Sequence, residues 1–472
     1  MSEHVGNPPS FPMKRCTFGP PAEYAQLRAS EPVARVVLPD GKLAWLFTRF
    51  ADVRTILGDN RFSTSPKHEG YPFPAPSRAP VMRAENTLLR KDPPEHTKYR
   101  RMLTAEFTVQ AINAMVPYLE ETATRLMDEM EANGPACDFV QAFALQLPST
   151  VIAELLGVPR EDHKFFQERS TLKLDMTVPT HIQARASSEL REYFDRMLTN
   201  TINRPDRPDN LTSRLYASQV ETGNITREEV LHTLEILLQA GHETTGNMIA
   251  LSVLSVLTNP QIKDAIIADP ALIRNTVEEM LRYHSIVHFN GARVALEDVE
   301  VGGHLVRKGE GVLAMISAAN YDPEMFPKPD ELNIHREEVR NHLAFSYGVH
   351  HCLGQALARA ELQIVFRLLF KRFPDLALAV PASEIEFKQD AVVWGVRKLP
   401  VTLTKRRKAF FTADVERCVG GGLCVETSPT VFAQGKEDGL VRILQEDPPP
   451  ELHDSIREAA QRCPARVFKI QE

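Results

Sequence analysis

A single cysteine in a glycine-bearing loop constrains this chain more than any other feature of its sequence. Residues 345–354 read FSYGVHHCLG, and residues 355–362 read QALARAEL, a run of strong helix formers. Cys352 is therefore predicted to lie where a loop turns into a helix. The free N–H groups at a helix start stabilise a thiolate, which is the form of cysteine that binds metals. A lone cysteine at such a position is more often a small buried residue, so its neighbours decide between the two interpretations.

Those neighbours resemble the haem-ligand loop of the cytochrome P-450 family. Phe345, Gly348, His350 and Gly354 stand at that family's spacing around Cys352. In the family the cysteine thiolate is the axial ligand of a haem iron, and its electron donation favours O–O cleavage. The resemblance therefore implies haem b bound through Cys352, with Phe345 shielding the sulfur from water. Gly348 and Gly354 are expected to let the backbone approach the flat macrocycle closely.

Composition places the chain among ordinary globular proteins. A length of 472 residues favours a large domain plus a small one, and 43% hydrophobic with 25% charged residues is typical of soluble chains. The longest nearly apolar run, Met248–Leu257, has about half the length that spans a bilayer. No basic segment leads into an apolar one at the N-terminus, and six cysteines are few for this length. We expect a cytoplasmic protein that does not associate with membranes.

Helical periodicity dominates the chain up to about residue 375, with few strand signals. One hairpin is predicted to join Val33–Leu38 to Leu43–Thr48 through an Asp-Gly turn. The resemblance covers roughly residues 20–403 and implies the cytochrome P-450 fold, a mainly α, triangular domain with small β-sheets. The expected domains are a haem domain at 1–404, a short basic linker at 405–408 and a small α+β ferredoxin-like domain at 409–472.

The segment that begins at Asp92 carries a strong helix-start pattern. Its sequence, DPPEHTKYRR, places Asp92 as the N-cap, followed by proline and then glutamate. His96 and Arg100 are four residues apart, so they share one helix face and can bind one anion together. An isolated pair of this kind is usually a solvated face. Alongside the cysteine loop it resembles the family's haem-propionate site, and the same resemblance implies further propionate contacts from Arg293 and His350.

A long helical segment, Leu231–Leu257, is apolar except at residues 239–245, which read QAGHETT. A glycine, an acid and two threonines inside a buried helix are locally costly, and function is one reason to tolerate them. Thr244 and Thr245 can donate back to carbonyls one turn earlier and loosen the helix. The pattern resembles the family's acid-alcohol pair over the haem, which implies that Glu243 and Thr244 relay protons to dioxygen. A solvent-facing polar patch is the alternative, but the apolar flanks disfavour it.

Glu279 and Arg282 lie three residues apart on one helical face. An isolated pair at this spacing is usually a weak surface ion pair. In this chain it resembles the family's Glu-x-x-Arg motif, which implies a buried pair that supports the core beside the haem. His335 or Arg336 is the expected third partner, and the expected role is structural.

A second cysteine pattern comprises Cys418, Cys424 and Cys463, the last of which precedes a proline. Thiolates spaced around glycines, with a distant Cys-Pro, resemble the ligands of small bacterial iron–sulfur ferredoxins. A four-iron protein of this type has another cysteine midway between the first two, where this chain has Gly421. Three ligands suit a 3Fe-4S cluster, and a 4Fe-4S cluster with a non-cysteine fourth ligand is the alternative.

Charge is unevenly distributed along the chain. The net charge is −7, and residues 409–472 carry 7 Lys and Arg against 11 Asp and Glu. This acidic tail suggests docking onto a basic surface, for which Arg100, Arg101 and Arg359 are candidates. No part of the chain is basic enough to indicate nucleic-acid binding.

These resemblances imply a monooxygenase that inserts one atom of O2 into a small organic substrate and reduces the other to water. Electrons are expected from NAD(P)H through a separate flavoprotein ferredoxin reductase, because the chain has no G-x-G-x-x-G fingerprint after a strand. The runner-up is a nitric oxide reductase of the cytochrome P-450 type, which the N-terminal third also resembles. Those enzymes take electrons directly from NADH and lack an acid at the position of Glu243. A non-catalytic haem sensor is a third interpretation, which Glu243, Thr244 and the electron-supply domain disfavour.

The substrate is not specified by any charge pattern in the sequence. The candidate contact regions mix Phe, Leu, Met and His, and two of their polar residues, His288 and Asn290, are candidates for hydrogen bonds to a substrate. Polar residues at a strand end that simply face water are an equally good interpretation.

Overall fold

The chain forms two compact units in a computed structural model. One unit comprises Met1–Lys371 and Leu376–Leu403, and the other comprises Arg372–Asp375 and Thr404–Glu472. The structure describes residues 8–76, 79–84, 87–174, 178–288, 291–389, 391–403, 410–445 and 448–470. The basic linker predicted at 405–408 lies outside these residues. Within the described ranges, no helix is both long enough and apolar enough to cross a membrane.

The first unit is mainly helical, as the sequence predicts. Its described α-helices are α1 (Glu23–Ser30), α2 (Phe50–Gly58), α3 (Ala79–Ala84), α4 (Glu95–Thr104), α5 (Val109–Ala132), α6 (Gln146–Leu156), α7 (His163–Leu174), α8 (Thr180–Ile202), α9 (Leu211–Leu215), α10 (Arg227–Thr258), α11 (Pro260–Ala268), α12 (Ile273–His284), α13 (Ile316–Ala319) and α14 (Gln355–Arg372). A capping box starts α10, because Thr226 and Glu229 each accept the other's backbone N–H. Helix α10 packs against α6 and α8, so it is buried over most of its length.

Small β-sheets complete the first unit. Its described strands are β1 (Val33–Val37), β2 (Leu43–Phe47), β3 (Phe62–Ser63), β4 (Ala136–Asp138), β5 (Ala292–Ala295), β6 (Val299–Val301), β7 (His304–Val306), β8 (Gly311–Ala314), β9 (Ala377–Leu378) and β10 (Pro400–Thr402). The main sheet has the order β1-β2-β8-β5-β3, with β2 parallel to β8 and the other neighbours antiparallel. A second sheet has the order β4-β10-β9, and β6 pairs with β7. The predicted hairpin is confirmed, since Val33 pairs with Phe47.

The side chains of β2 show how this sheet separates two cores. Ala44 and Leu46 belong to one cluster of buried residues, whereas Trp45 and Phe47 pack into another. Successive side chains of a strand point to opposite faces, so the alternation assigns each cluster to its own face of the sheet. The sheet is therefore buried on both sides, which explains why its strands contain few polar residues.

Helix α4 begins at Glu95, two residues later than an N-cap at Asp92 would require. The Asp92 carboxylate instead accepts a hydrogen bond from the Ser63 hydroxyl and another, at 2.9 Å, from the Thr64 N–H. The Asp92 carbonyl accepts the N–H of His96 at 2.9 Å. The predicted side-chain cap was wrong because a distant strand, β3, competes for the carboxylate. Asp92 thus ties the start of α4 to the main sheet.

The predicted ion pair of Glu279 and Arg282 is confirmed and has no exposed side-chain surface. Two nitrogens of Arg282 each donate to a different Glu279 oxygen at 2.8 Å. Arg336 donates from Nε to both oxygens at 3.3 Å and is the third partner, whereas His335 is exposed. A buried carboxylate shared by two guanidinium groups is well compensated, and removing one partner would leave an uncompensated charge.

The second unit is a small α+β structure, as predicted. Its described elements are β11 (Phe411–Ala413), α15 (Leu423–Thr427), β12 (Phe432–Gln434), β13 (Val441–Ile443), α16 (His453–Arg462) and β14 (Phe468–Ile470). Strand β11 pairs antiparallel with β14, and β12 pairs antiparallel with β13. The Phe432 ring lies 5.4 Å from that of Phe411 and 4.6 Å from that of Phe468, measured between centroids. These three rings form the centre of a core that is separate from those of the first unit.

Candidate active site and candidate cluster site

A cavity of about 380 Å³ is lined by helix α10 and by the loop that precedes α14. Thr244 and Thr245 line it from α10, and Phe345 and Cys352 line it from the loop. The apolar part of the lining includes Met82, Leu88, Leu89, Phe107, Ile152, Leu237, Ile286 and Val393. A cavity of this size, mostly apolar with a few convergent polar groups, is typical of a cofactor or small-molecule site.

Cys352 reaches the cavity from a loop that folds back on itself. Its N–H donates to the Phe345 carbonyl at 2.8 Å, and α14 starts three residues later, as predicted. Cys352 is accessible from the cavity, yet the surrounding protein is dense enough that burial raises the pKa of its thiol. The Gly354 N–H and the charges of Arg100 and Arg359 act in the opposite direction. These groups stabilise a thiolate, the form that a coordinated metal imposes on cysteine.

Three of the four residues predicted to bind propionates line the same cavity, namely His96, Arg100 and His350. The His96 and His350 rings lie 4.2 Å apart between centroids. Both ring nitrogens of His96 and Nε2 of His350 are buried without a hydrogen-bond partner among the described residues. Leaving such groups unsatisfied costs about 1–3 kcal/mol each, so the site is complete only when a ligand supplies hydrogen-bond partners, including acceptors for the ring N–H groups. The carboxylates of a haem fit this requirement.

Arg293 lies beside this group rather than in the cavity wall. Burial lowers the pKa of Arg293 to about 10, and its guanidinium donates to the Ala292 carbonyl at 2.9 Å. Burial is also the main reason why the pKa of His350 falls to about 3, and Arg293 contributes to that shift. Arg293 is therefore within electrostatic reach of the predicted propionate site.

The two glycines of the loop differ in what surrounds them. A Cβ on Gly348 would meet the Leu57 carbonyl oxygen at 2.6 Å, and its φ of +71° is left-handed. Gly348 does not line the cavity. The backbone at Gly348 therefore lies close to α2 and not, as predicted, beside the macrocycle. Gly354 does line the cavity, and a Cβ there would meet nothing within 4 Å. The free space expected beside a macrocycle is therefore at Gly354.

Thr244 bonds back along α10 as predicted. Its hydroxyl donates to the Ala240 carbonyl at 2.6 Å while the side chain faces the cavity. Ala240 also lines the cavity, so this hydroxyl and carbonyl add polar groups to a helix surface that is mostly apolar. A hydroxyl that donates to a carbonyl still has lone pairs to accept a further hydrogen bond.

Glu243 does not face this cavity. It lines a second cavity of about 1330 Å³, together with the charged residues Arg125, Glu129, Arg160, Lys164, Glu168, Arg169, Arg185, Glu189, Lys388 and Arg397. The Glu243 carboxylate accepts from the Thr171 hydroxyl at 2.6 Å and from the Asn247 amide at 3.0 Å, and it lies 3.6 Å from Lys388 Nζ. Burial raises the pKa of Glu243, but Lys388 and the hydrogen bonds outweigh burial and lower it overall.

The partners of Glu243 were not found from the sequence. Thr171 lies on α7, and Lys388 lies in the segment before β10, more than a hundred residues beyond the acid. No spacing rule connects residues so far apart. Arg90 and Tyr71, which also line the smaller cavity, were missed for the same reason.

The substrate candidates take different places. His288 is half-buried, its ring lies 5.8 Å from that of Trp394 between centroids, and it does not line the smaller cavity. Burial lowers the pKa of His288 to about 3, so it is neutral at physiological pH. Asn290 lies outside the described residues.

The three cysteines of the second unit pack against one core. Cys418 Sγ accepts hydrogen bonds from the N–H groups of Gly420 at 3.5 Å and Val441 at 3.4 Å, and Cys463 Sγ accepts one from Val467 at 3.4 Å. Backbone donors to cysteine sulfur are among the features that tune iron–sulfur clusters.

Cys424 completes this group of thiols. Burial raises the pKa of Cys424, and Cys418 and Cys463 raise it further, so the three thiols are within electrostatic reach of one another. In the described part of the chain, no three His, Cys, Asp or Glu side chains are close enough to hold a single metal ion. These three thiols are the ones that the sequence predicts as iron–sulfur ligands.

Two family profiles match separate parts of the chain. Cytochrome P450 matches residues 63–395. The 4Fe-4S single cluster domain of Ferredoxin I matches residues 414–469. The first match covers the whole of the smaller cavity's polar wall, and the second covers all three cysteines of the second unit.

Individual relatives agree with the first match. Cytochrome P450-SU2 of Streptomyces griseolus is 46% identical over 387 residues, which are 82% of this chain and 94% of the relative. Vitamin D3 dihydroxylase of the same organism is 43% identical over 396 residues, 84% of this chain and 97% of the relative. The crystal structure of GfsF is 41% identical and superposes with a TM-score of 0.79 over 84% of this chain and all of that one.

Proposed function

This chain belongs to the cytochrome P450 family of monooxygenase enzymes and carries a C-terminal ferredoxin domain, and we propose that it oxidises an organic substrate with electrons from its own ferredoxin. The observation that carries the proposal is that Cys352 and Thr244 line one largely apolar cavity. A sulfur ligand and a hydroxyl that can pass protons are then available to the same bound group. The reaction that we propose inserts one oxygen atom of O2 into the substrate and reduces the other to water.

We propose that Cys352 ligates the iron of haem b and that His96, Arg100, Arg293 and His350 bind its propionates. The unsatisfied ring nitrogens of His96 and His350 support this assignment, because the N–H of each neutral ring can donate to a propionate. Bound haem supplies a thiolate-ligated iron that activates dioxygen. The Cζ atom of Arg359 lies 4.6 Å from the centroid of the Phe345 ring. In this proposal the ring keeps water from the sulfur.

Glu243 and Thr244 carry the proton supply in this proposal. Glu243 lies on the larger, charged cavity, where its carboxylate can exchange protons with solvent, and Thr244 lies on the smaller one. The Glu243 carboxylate takes up a proton from solvent and gives it to Thr244, whose hydroxyl accepts this proton as it donates its own into the smaller cavity. The wall around Thr244 is mostly apolar, which favours delivery of protons by this hydroxyl over delivery by bulk water.

The ferredoxin domain supplies the electrons. We propose a 3Fe-4S cluster held by Cys418, Cys424 and Cys463, since Gly421 stands where a fourth cysteine would be. We place the haem domain at 1–404, a linker at 405–408 and the ferredoxin domain at 409–472. A separate NAD(P)H-dependent flavoprotein reduces the cluster. The few cysteines favour a reducing compartment, and we propose the cytoplasm.

The reduced, CO-bound absorption spectrum tests the ligand assignment. The wild-type chain is expected to show the thiolate-type band and Cys352→Ala to lose it. Cys137→Ala removes a half-buried cysteine elsewhere and serves as the matched control that keeps the band. A thiolate-type band in Cys352→Ala would sink the assignment.

Turnover assays then separate the two candidate reactions. Oxygenated product that depends on the reductase and on an intact cluster supports the monooxygenase. Reduction of nitric oxide with NADH by a chain that lacks its cluster would support the nitric oxide reductase instead. Severing the chain near Lys405 is expected to slow electron transfer in dilute solution, because a tether holds the donor at an effective concentration of about millimolar.

A further inference from the structure

Arg15 is a buried arginine in the segment that precedes α1, and it contacts the end of a helix far along the chain. Its Nη1 donates to the Ser285 carbonyl at 2.9 Å, and its Nη2 donates to the His284 carbonyl at 2.5 Å. His284 is the last residue of α12, and Ser285 is the C-cap, with a left-handed φ of +40°. The last carbonyls of a helix lack partners within the helix and carry partial negative charge. The Arg15 guanidinium therefore closes the C-terminal end of α12.

The same guanidinium packs against Trp394, whose side chain is fully buried. The Cζ atom of Arg15 lies 5.1 Å from the centroid of the Trp394 ring, which is within the range of a cation–π interaction. Burial lowers the pKa of Arg15 to about 10, so the side chain stays charged at neutral pH. The hydrogen bonds that its guanidinium donates to the described residues all go to backbone carbonyls, including that of Gly19 at 3.3 Å. The helix end and the aromatic ring together hold this buried charge in place.

The two backbone segments that Arg15 contacts also pair with each other. One segment follows α12, and the other ends at Trp394. The Trp394 N–H donates to the Ile286 carbonyl at 2.7 Å, and Val287 forms an antiparallel bridge with Val393. We call these paired segments, residues 285–288 and 392–394, the aliphatic ladder. Arg15 thus contacts both segments of the ladder, one through its hydrogen bonds and the other through the aromatic ring.

The aliphatic ladder forms part of the wall of the smaller cavity. Four of its residues line this cavity, and all four have aliphatic side chains: Ile286, Val287, Val392 and Val393. Neither Arg15 nor Trp394 lines the cavity in the part of the chain that the structure describes. Arg15 therefore contacts the ladder from outside the cavity, and a ligand inside the cavity meets aliphatic side chains on this wall.

We infer that Arg15 is a positioning residue that fixes the aliphatic ladder and thereby determines how the apolar part of a bulky substrate fits the smaller cavity. The inference rests on the proposed function, because it takes this cavity as the substrate site. Arg15 acts through the end of α12 and through Trp394, since it does not line the cavity itself. The alternative is that Arg15 only anchors the N-terminal segment. That role predicts lower stability in an Arg15 variant but no change in ligand preference.

Hydrogen–deuterium exchange of the full chain tests whether Arg15 fixes the ladder. Arg15→Met keeps a long side chain and removes the charge and the donors. Peptides that contain the ladder are expected to exchange about tenfold faster in this variant than in wild type, the effect of about one charge-assisted hydrogen bond on local opening. Arg15→Lys keeps the charge without the two-pronged donor, so its exchange rates are expected to fall between the two. Unchanged exchange of the ladder in Arg15→Met would overturn the inference.

Arg28→Met is the matched control. Arg28 of α1 is half-buried and donates to the Ala318 carbonyl at 2.9 Å, near the end of α13. It is thus a second arginine near the N-terminus that binds a carbonyl of a distant helix, but that helix is not part of the ladder. Exchange of the ladder in Arg28→Met is expected to match wild type.

Titration with two azoles, followed in the Soret band, tests ligand preference. Imidazole and clotrimazole both bind haem iron through an azole nitrogen, but clotrimazole adds three aromatic rings that need an ordered apolar wall. Arg15→Met is expected to bind clotrimazole about tenfold more weakly than wild type and imidazole equally well, because the ladder must now be ordered on binding. Arg15→Lys is expected to recover part of the loss, and Arg28→Met to bind both azoles as wild type does.

Three results of the titration would overturn the inference. In Arg15→Met these are an unchanged affinity for clotrimazole and an equal loss of affinity for both azoles, since an equal loss places the effect at the haem and not at the ladder. The third is a wild-type chain that binds clotrimazole no more tightly than imidazole, because the wall would then give no apolar contact.

The outcomes for Arg15 and for the proposed function are distinct. A wild-type chain that takes up no haem, or that shows no thiolate-type band with CO, contradicts the proposed function, and the exchange rates still decide whether Arg15 fixes the ladder. A wild-type chain with that band, beside an Arg15→Met variant with the same exchange rates and the same ligand preference, contradicts only the role of Arg15. Should Arg15→Met fail to fold, the Arg15→Lys variant carries the same comparisons.

Discussion

Glu243 and Thr244 are adjacent on helix α10, yet they line different cavities. The Thr244 hydroxyl faces the cavity that contains Cys352, while the Glu243 carboxylate lies 3.6 Å from Lys388 Nζ on the other cavity. Neighbouring residues of a helix point about 100° apart, so one helix can expose an acid to a charged space and an alcohol to an apolar one. The acid and the alcohol thus line different cavities, and in the proposed function Glu243 takes up protons and Thr244 delivers them.

Replacing Lys388 by Met is expected to destabilise the folded chain by about 3–5 kcal/mol at neutral pH, because it leaves the Glu243 carboxylate buried and unpaired. Lys388 is a major cause of the lowered pKa of Glu243, so that pKa rises in the variant. An acid whose pKa is lower in the folded chain than in the unfolded chain stabilises the fold at pH values above its unfolded-state pKa. This stabilisation is lost as the pH falls through the folded-state pKa. The difference in the free energy of unfolding between wild type and Lys388→Met should therefore shrink as the pH is lowered towards the pKa of Glu243.

Thermal unfolding of wild type and Lys388→Met at a series of pH values measures this effect. Lys164→Met is the control, since Lys164 is an exposed lysine on the same cavity and has no ion pair in the described structure. A deficit that is independent of pH would show that Lys388 acts through packing rather than through the charge of Glu243.

Ser346→Gly is expected to stabilise the protein by about 1 kcal/mol, because Ser346 holds a left-handed φ of +63° that costs a residue with a Cβ. The Ser346 hydroxyl is also buried without a partner among the described residues. Ser346→Ala separates the two effects, since it removes the hydroxyl and keeps the Cβ. Urea unfolding of the three chains measures the difference. A loss of stability in Ser346→Gly would mean that the hydroxyl has a partner in solution.

Alanine at the two loop glycines is expected to have opposite consequences. Gly348→Ala should destabilise the fold by about 1–3 kcal/mol, because it adds a contact of 2.6 Å to the Leu57 carbonyl at a left-handed φ. Gly354→Ala meets nothing within 4 Å, so the stability of the haem-free chain should not change while its haem affinity falls. Unfolding of the haem-free chains and haem titration measure the two properties separately. Unimpaired haem affinity in Gly354→Ala would place the macrocycle elsewhere.

Gly421→Cys is expected to convert a 3Fe-4S cluster into a 4Fe-4S cluster. A Cβ at this position would meet only Pro464 Cγ at 4.0 Å, and Gly421 has no left-handed φ, so a side chain fits without strain. Electron paramagnetic resonance of the oxidised and reduced protein identifies the cluster type, and iron content should rise by one atom per chain. Gly420→Cys is a poor host for the new ligand because of its φ of +71°, and it serves as the comparison. A 4Fe-4S signal in the wild-type chain would contradict the three-iron assignment.

Local patterns predicted most of the elements, and the resemblance to the cytochrome P-450 family supplied the candidate residues at the smaller cavity. The hairpin at β1 and β2, the long apolar helix α10 and the helix start after Cys352 all depend on interactions within a few residues, so periodicity and turn chemistry reveal them. The Asp92 cap failed because β3 supplies a partner from outside the helix. The predicted position of Gly348 beside the macrocycle also depended on tertiary packing, because the atoms nearest to Gly348 belong to α2 and not to the cavity wall.

The sequence by itself determined which chemical groups the chain carries: a cysteine loop with its helix, an acid beside an alcohol in an apolar helix, and three cysteines spaced around glycines. The tertiary structure alone decided where those groups point and what accompanies them. Lys388 and Thr171 join Glu243, and Arg90 joins the cavity wall, from distant parts of the chain. Side-chain direction is set by packing between elements far apart in sequence, and no local spacing records that packing.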